Sequence, residues 1–200
     1  CVSIFVTSLK DKASTDFIHE SLAELSPSLV LNATSFAATS GGSGDPLAQY
    51  DCPVLQVVLG TVSEESWRAS SQGLGARDLA MNVVLPELDG RIHSRAISFN
   101  SDSFYHEATQ SRVVTYKPLA DRVEFVADLA ANWIALRHRE AINRKVAIIL
   151  ANYPNRDGRI ANGVGYDTPA STIAMLKAMQ ESGYDVGEIP ASGNELIQRI

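Results

Sequence analysis

The sequence predicts an α/β fold built on mainly parallel, Rossmann- or flavodoxin-like sheets with flanking helices. Two observations lead there. Short apolar runs rich in β-branched residues alternate with segments whose apolar residues recur at helical spacing. The C-terminal part of the chain also reads strand, helix, strand, which is one βαβ unit. Alternation of this kind implies parallel strands joined by crossover helices.

Taken in order, the run over 2–7 predicts a buried strand and 14–25 a helix, with Phe17, Ile18, Leu22 and Leu25 on one face. Strands follow over 29–33 and 54–59, separated by a Gly/Ser-rich surface loop over 37–51. Ser63 is placed to cap a short helix, with Glu64 and Glu65 where the helix dipole favours negative charge. The apolar run over 78–85 predicts a strand that ends at Pro86, and 96–100 and 113–116 predict two more. The strongest helix signal spans 121–136, where Val123, Val126, Leu129, Ala130, Trp133 and Leu136 recur.

The polar stretch over 137–144 predicts a boundary. It divides the chain into an α/β domain over 1–138, truncated at its N-terminus, and the start of a second over 139–200. Strand 145–151, helix 169–182 and strand 185–189 form the βαβ unit of the second. The chain starts in a strand-like run without an initiator Met and stops in a helix-like one. The expectation is an internal piece of a longer protein.

The 200 residues are 45% hydrophobic and 20% charged, ordinary values for a globular chain. A net charge of −6, with no Lys/Arg run, argues against a nucleic-acid partner. Cys1 and Cys52 form neither a CxxC pair nor a zinc spacing, which favours reduced thiols and a cytoplasmic compartment. No stretch of about 20 apolar residues predicts a membrane span.

Two segments can carry chemistry. In Leu85-Pro86-Glu87-Leu88-Asp89-Gly90-Arg91, two carboxylates and an arginine follow the predicted strand. Strand alternation puts Glu87 and Asp89 on one side, beyond a carboxyl end, where α/β sheets bind ligands. Carboxylates there can accept protons or ligate a divalent ion. The same string also fits a plain polar turn of Pro, Asp and Gly.

The second segment, over 151–169, is far longer than the usual connection of about 2–6 residues. It holds Asn152, Tyr153, Arg156, Arg159 and Tyr166, and ends in a helix start where Asp167 or Thr168 is the cap and Pro169 the first helical position. Its arginines suit carboxylates and its tyrosines a flat ligand. A solvated Ω-loop has the same composition.

No G-x-x-x-x-G-K-[ST] string occurs, so ATP is not placed on this chain. His19, His93, His106 and His138 form no metal-binding pair; His93 alone follows the acidic string closely enough to reach a metal.

Read together, several strings carry a resemblance: 29–34 leading into 53–59, then 78–91, 126–133, 146–159 and 163–171. In this order they resemble the large subunits of the cobaltochelatase family, relatives of the porphyrin-binding subunit of magnesium chelatase. Asn152-Tyr153-Pro154-Asn155-Arg156-Asp157-Gly158-Arg159, followed by Asp167-Thr168-Pro169-Ala170-Ser171, resembles the cobalt branch.

The resemblance implies a ligase subunit in aerobic cobalamin biosynthesis. Cobalt(II) enters hydrogenobyrinic acid a,c-diamide, while ATP and Mg stay on partner AAA+ ATPase subunits. It implies Glu87 and Asp89 as catalytic carboxylates, and Glu87 and His93 as metal contacts. Arg91, Asn152, Tyr153, Arg156, Arg159, Tyr166 and Thr168 become substrate contacts. The isolated piece is expected to be inactive. The rival readings are a magnesium chelatase subunit and a non-catalytic scaffold that docks the motor.

Overall fold

The computed structural model describes residues 1–39, 44–152, 161, 163 and 165–200. The chain divides into two compact units, Cys1–Ile134 and Ala135–Ile200.

In the first unit, α1 (Lys12–Leu25) starts where the Asp11 carboxylate accepts the Ser14 amide at 2.9 Å, and it ends at Ser26 in the left-handed conformation. Ser14, Ile18 and Leu22 recur every four residues and form its buried face. Ile18 and Leu22 join Leu47 and Val54 in one core cluster, against which Ile4, Val6, Leu9, Val30 and Tyr50 pack. Changing Ile18 to Val should cost about 0.5–1.5 kcal/mol, read as a lowered urea midpoint with an unchanged slope.

The sheet holds β1 (Val30–Asn32), β2 (Val54–Ser63), β3 (Ile92–His106) and β4 (Ser111–Pro118), in that order. β1 pairs β2 and β2 pairs β3 in parallel; β3 and β4 form an antiparallel hairpin. The mostly parallel α/β architecture is thus as the sequence predicts. β2 is buried on both faces from Val54 to Val58, as a central parallel strand should be. Val58, Ala96, Phe99 and Leu119 form a second core cluster.

Four segments differ from expectation. The run over 78–85 is not a strand. It lies in one helical stretch made of α3 (Ala76–Leu79), a π-helical turn (Ala80–Val84) and α4 (Leu85–Glu87). Asp78 and Asn82, four apart, sit on its buried face. Asp78 accepts the Thr61 amide at 2.9 Å, and Asn82 accepts the Ser35 hydroxyl at 2.5 Å. Pro86 has no N–H for the helix ladder. The carbonyl of Met81, five residues back, takes the amide of Phe36 at 2.9 Å instead.

The run over 2–7 pairs with no strand among the described residues, although Ile4 and Val6 pack inward. In the second unit the predicted strands 145–151 and 185–189 join no sheet among the described residues. A strand needs a neighbour's N–H and C=O groups, and apolar sequence alone supplies none; Val146 and Ile149 are exposed.

Helix signals fared better. α2 (Glu64–Ala69) is capped by Ser63, and α5 (Ala120–His138) and α6 (Thr168–Glu181) lie where periodicity puts them. The cap of α6 is Asp167, which accepts the Ala170 amide at 3.0 Å. α7 (Gly193–Arg199) packs on α6 through Gly193, where an added Cβ would stand 2.8 Å from Pro169. Among the described residues no helix is long and apolar enough to cross a membrane.

Candidate functional site

The acidic string is the end of a helix, not the end of a strand. α4 stops at Glu87; the Gly90 amide then bonds the Glu87 carbonyl at 2.9 Å, and Gly90 takes φ +72. That left-handed position is one only glycine accepts without strain. Arg91 leads into β3, whose first residue Ile92 pairs with Leu55 near the start of β2. The turn therefore sits at the amino end of β3, and the carboxyl-end rule that singled it out does not apply.

The two carboxylates do not share a side. Glu87 is exposed, and its carboxylate has no hydrogen bond or ion pair among the described residues. Asp89 turns inward: its side chain is 1% exposed, and it accepts from the Ala38 amide at 2.6 Å, the Thr39 amide at 3.2 Å and the Thr39 hydroxyl at 2.6 Å. Burial pushes its pKa up. The Thr39 hydroxyl, the Ala38 and Thr39 amides and the Arg91 charge outweigh burial, so the group lies below its ordinary value.

The sign follows from that direction. A carboxyl depressed by folding stabilises the fold above its unfolded pKa of about 3.9 and loses that contribution as pH falls through the folded value. The stability gap between wild type and Asp89→Asn should therefore be constant near neutrality and close below about pH 4, measured as denaturant midpoints across pH.

Arg91 is not an open substrate contact. Its side chain is 2% exposed, with Nη2 at 2.6 Å from Asp45 and 3.8 Å from Asp89. A guanidinium locked between two buried carboxylates offers little to a ligand at the surface. Asp89 and Arg91 together grip both ends of the Gly/Ser-rich loop: Asp89 holds Ala38 and Thr39, and Arg91 holds Asp45. Sequence reading missed Asp45 and Thr39, because their partners lie some fifty residues away in the chain.

His93 pairs with Gln56, which pairs with Asn32, so the three occupy one rung across the sheet. Asn32 donates to the Gln56 side chain at 2.7 Å, while both ring nitrogens of His93 are buried with no partner among the described residues. His93 is half-buried, and its ring nitrogens do not reach solvent. Among the described residues no three His, Cys, Asp or Glu side chains converge as a metal site.

Of the long loop, Tyr153, Arg156 and Arg159 lie outside the described residues. Asn152 is exposed, Tyr166 is 80% exposed, and Thr168 is the first residue of α6. An added Cβ on Gly163 would stand 2.8 Å from the Thr168 hydroxyl, so Gly163 lies against the start of α6.

The whole chain, residues 1–200, matches the family described as CobN/Magnesium Chelatase. It is 50% identical over 198 residues to the aerobic cobaltochelatase subunit CobN of a Sinorhizobium species, covering 98% of this chain and 16% of that protein. It is 43% identical to the subunit of the same name from Pseudomonas aeruginosa, with the same coverages. Among solved structures, the catalytic subunit of cobaltochelatase from Mycobacterium tuberculosis superposes with a TM-score of 0.77 at 29% identity, over 98% of this chain and 17% of that one. The chain thus spans a small part of the relatives it matches. Fold and sequence agree over nearly its full length: the chain belongs to the CobN/magnesium chelatase family.

Proposed function

We propose that this chain is part of the tetrapyrrole-binding subunit of an ATP-dependent cobaltochelatase, inserting cobalt(II) into hydrogenobyrinic acid a,c-diamide in aerobic cobalamin biosynthesis. The observation that carries the reading is identity of 50% and 43%, over 98% of the chain, to proteins named for that activity. Its setting is a cytoplasmic complex, with ATP and Mg on AAA+ ATPase partners.

Insertion of a divalent ion releases the ring N–H protons, so a base must face the macrocycle. Glu87 is the group suited to that work: a carboxylate in the open, with no partner among the described residues, on a turn fixed from behind. It accepts a ring proton or hands over the metal. Asp89 and Arg91 act through it, holding the turn and the loop over 37–39 in place. Substrate carboxylates fall to the long loop, to Arg156 and Arg159 with Asn152, Tyr153, Tyr166 and Thr168 beside them. His93 and the metal remain a weaker pairing, supported only by its two unpartnered ring nitrogens.

The test is equilibrium binding to the full-length protein, followed by ligand absorbance. The corrinoid diamide should bind and protoporphyrin IX should not; the reverse preference would move the chain to the magnesium branch.

A further inference from the structure

Near its carboxyl end β2 breaks register with β3. Gly60 pairs with Phe99, yet Ser63 pairs with the next residue, Asn100, so Thr61 and Val62 have no counterpart. A bulge of this kind bends the strand away from the sheet. Ser63 then caps α2, its hydroxyl 3.1 Å from the Ser66 amide, and the helix comes to lie beside the β3–β4 hairpin. Between them opens a cavity of about 950 Å³. That is within the size of small-molecule sites, and it lies beyond the carboxyl end of a parallel strand, where α/β proteins bind ligands.

The walls are held rigidly. Trp67 stacks on Phe99 with ring centroids 4.6 Å apart, and the Arg122 guanidinium lies 4.7 Å from the Trp67 ring. A Cβ on Gly60 would meet the Phe99 ring at 2.9 Å, so glycine there lets the ring lie flat on the strand. Ala69 and Val114 give the cavity apolar surface above the buried Phe99, and Asn100 and Ser101 give it amide and hydroxyl groups. Arg68 and Lys117 stand at its rim. Glu64 engages Arg68 at 2.8 Å, and Glu65 also lines the mouth. Lys117 has no ion pair among the described residues.

We propose that this cavity is a second ligand site, which takes a molecule with an apolar edge and carboxylate and carboxamide arms. The apolar edge lies on Ala69 and Val114, a carboxylate meets Lys117 and draws Arg68 from Glu64, and an amide meets Asn100. Resting on the cobaltochelatase reading, the ligand is the corrinoid diamide or its metallated product. The ten residues of β2 put the cavity roughly 30 Å from the acidic turn. One macrocycle does not fill both places, so this site holds a corrinoid before or after insertion.

The experiment is an isotherm of hydrogenobyrinic acid a,c-diamide on the full-length protein, compared with the methyl ester of its remaining carboxylates. Two binding events are expected. One should weaken at least tenfold in R68Q/K117Q, and should weaken likewise in V114W, which narrows the cavity with every charge intact. The ester should weaken this event on wild type too, along with the one held by Arg156 and Arg159, and should then be insensitive to R68Q/K117Q. If both variants superpose on wild type, the cavity is not a corrinoid site, while the cobaltochelatase reading stands. If wild type binds no corrinoid at all, both fall together.

Discussion

Replacing Glu87 with Gln in the full-length enzyme should abolish cobalt insertion while corrinoid binding persists. The amide keeps the size and removes the charge and the proton acceptor. Loss of a positioned general base typically slows a step by about 10²–10⁴-fold. Glu87 is exposed and has no partner among the described residues, so the fold should hardly notice: surface changes of this kind stay within about 0.5 kcal/mol. The two readouts therefore separate. Wild-type turnover in the variant would remove Glu87 from the reaction and leave the turn a structural feature.

Arg91→Ala should produce the opposite pattern. The guanidinium is buried between Asp45 at 2.6 Å and Asp89 at 3.8 Å. Its removal leaves two buried carboxylates without their cation, and breaking such a pair costs about 3–5 kcal/mol. Thermal or denaturant unfolding should show that loss. Activity should fall together with stability, because the loop over 37–39 and the turn that carries Glu87 are held by the same network. The double variant Asp45→Asn/Arg91→Leu, which removes charges from both sides, should recover part of the loss. Equal stability of wild type and Arg91→Ala would mean that the network does not hold the turn.

Much of this was legible in the chain. α1 and α5 follow from apolar residues repeating at helical spacing, the cap Ser63 from Glu64 and Glu65 after it, and the start of α6 from Asp167 or Thr168 before Pro169. The run over 78–85 was not, because eight residues, six of them apolar, fit a buried strand and a buried helix equally well. What decides is distant: the Thr61 amide waits for Asp78, Ser35 for Asn82 and Phe36 for the carbonyl of Met81.

The same limit applies to the site. Glu87 and Asp89 stood out as a pair, yet the sequence could not divide their work. Exposure and burial do, and they follow from a helix ending where a strand was expected. The grip of Asp89 on Thr39 and of Arg91 on Asp45 joins residues roughly fifty positions apart, which no local pattern announces. The cavity beside α2 depends on a register break between β2 and β3, equally invisible in one dimension.

The central claim is that this chain serves cobalt insertion, and the most direct measurement is a metal-insertion assay. The full-length protein is combined with its ATPase partners and ATP, then offered cobalt with hydrogenobyrinic acid a,c-diamide and, in parallel, magnesium with protoporphyrin IX. The account predicts a cobalt corrinoid and no magnesium porphyrin; magnesium insertion, or no insertion of either metal, would contradict it.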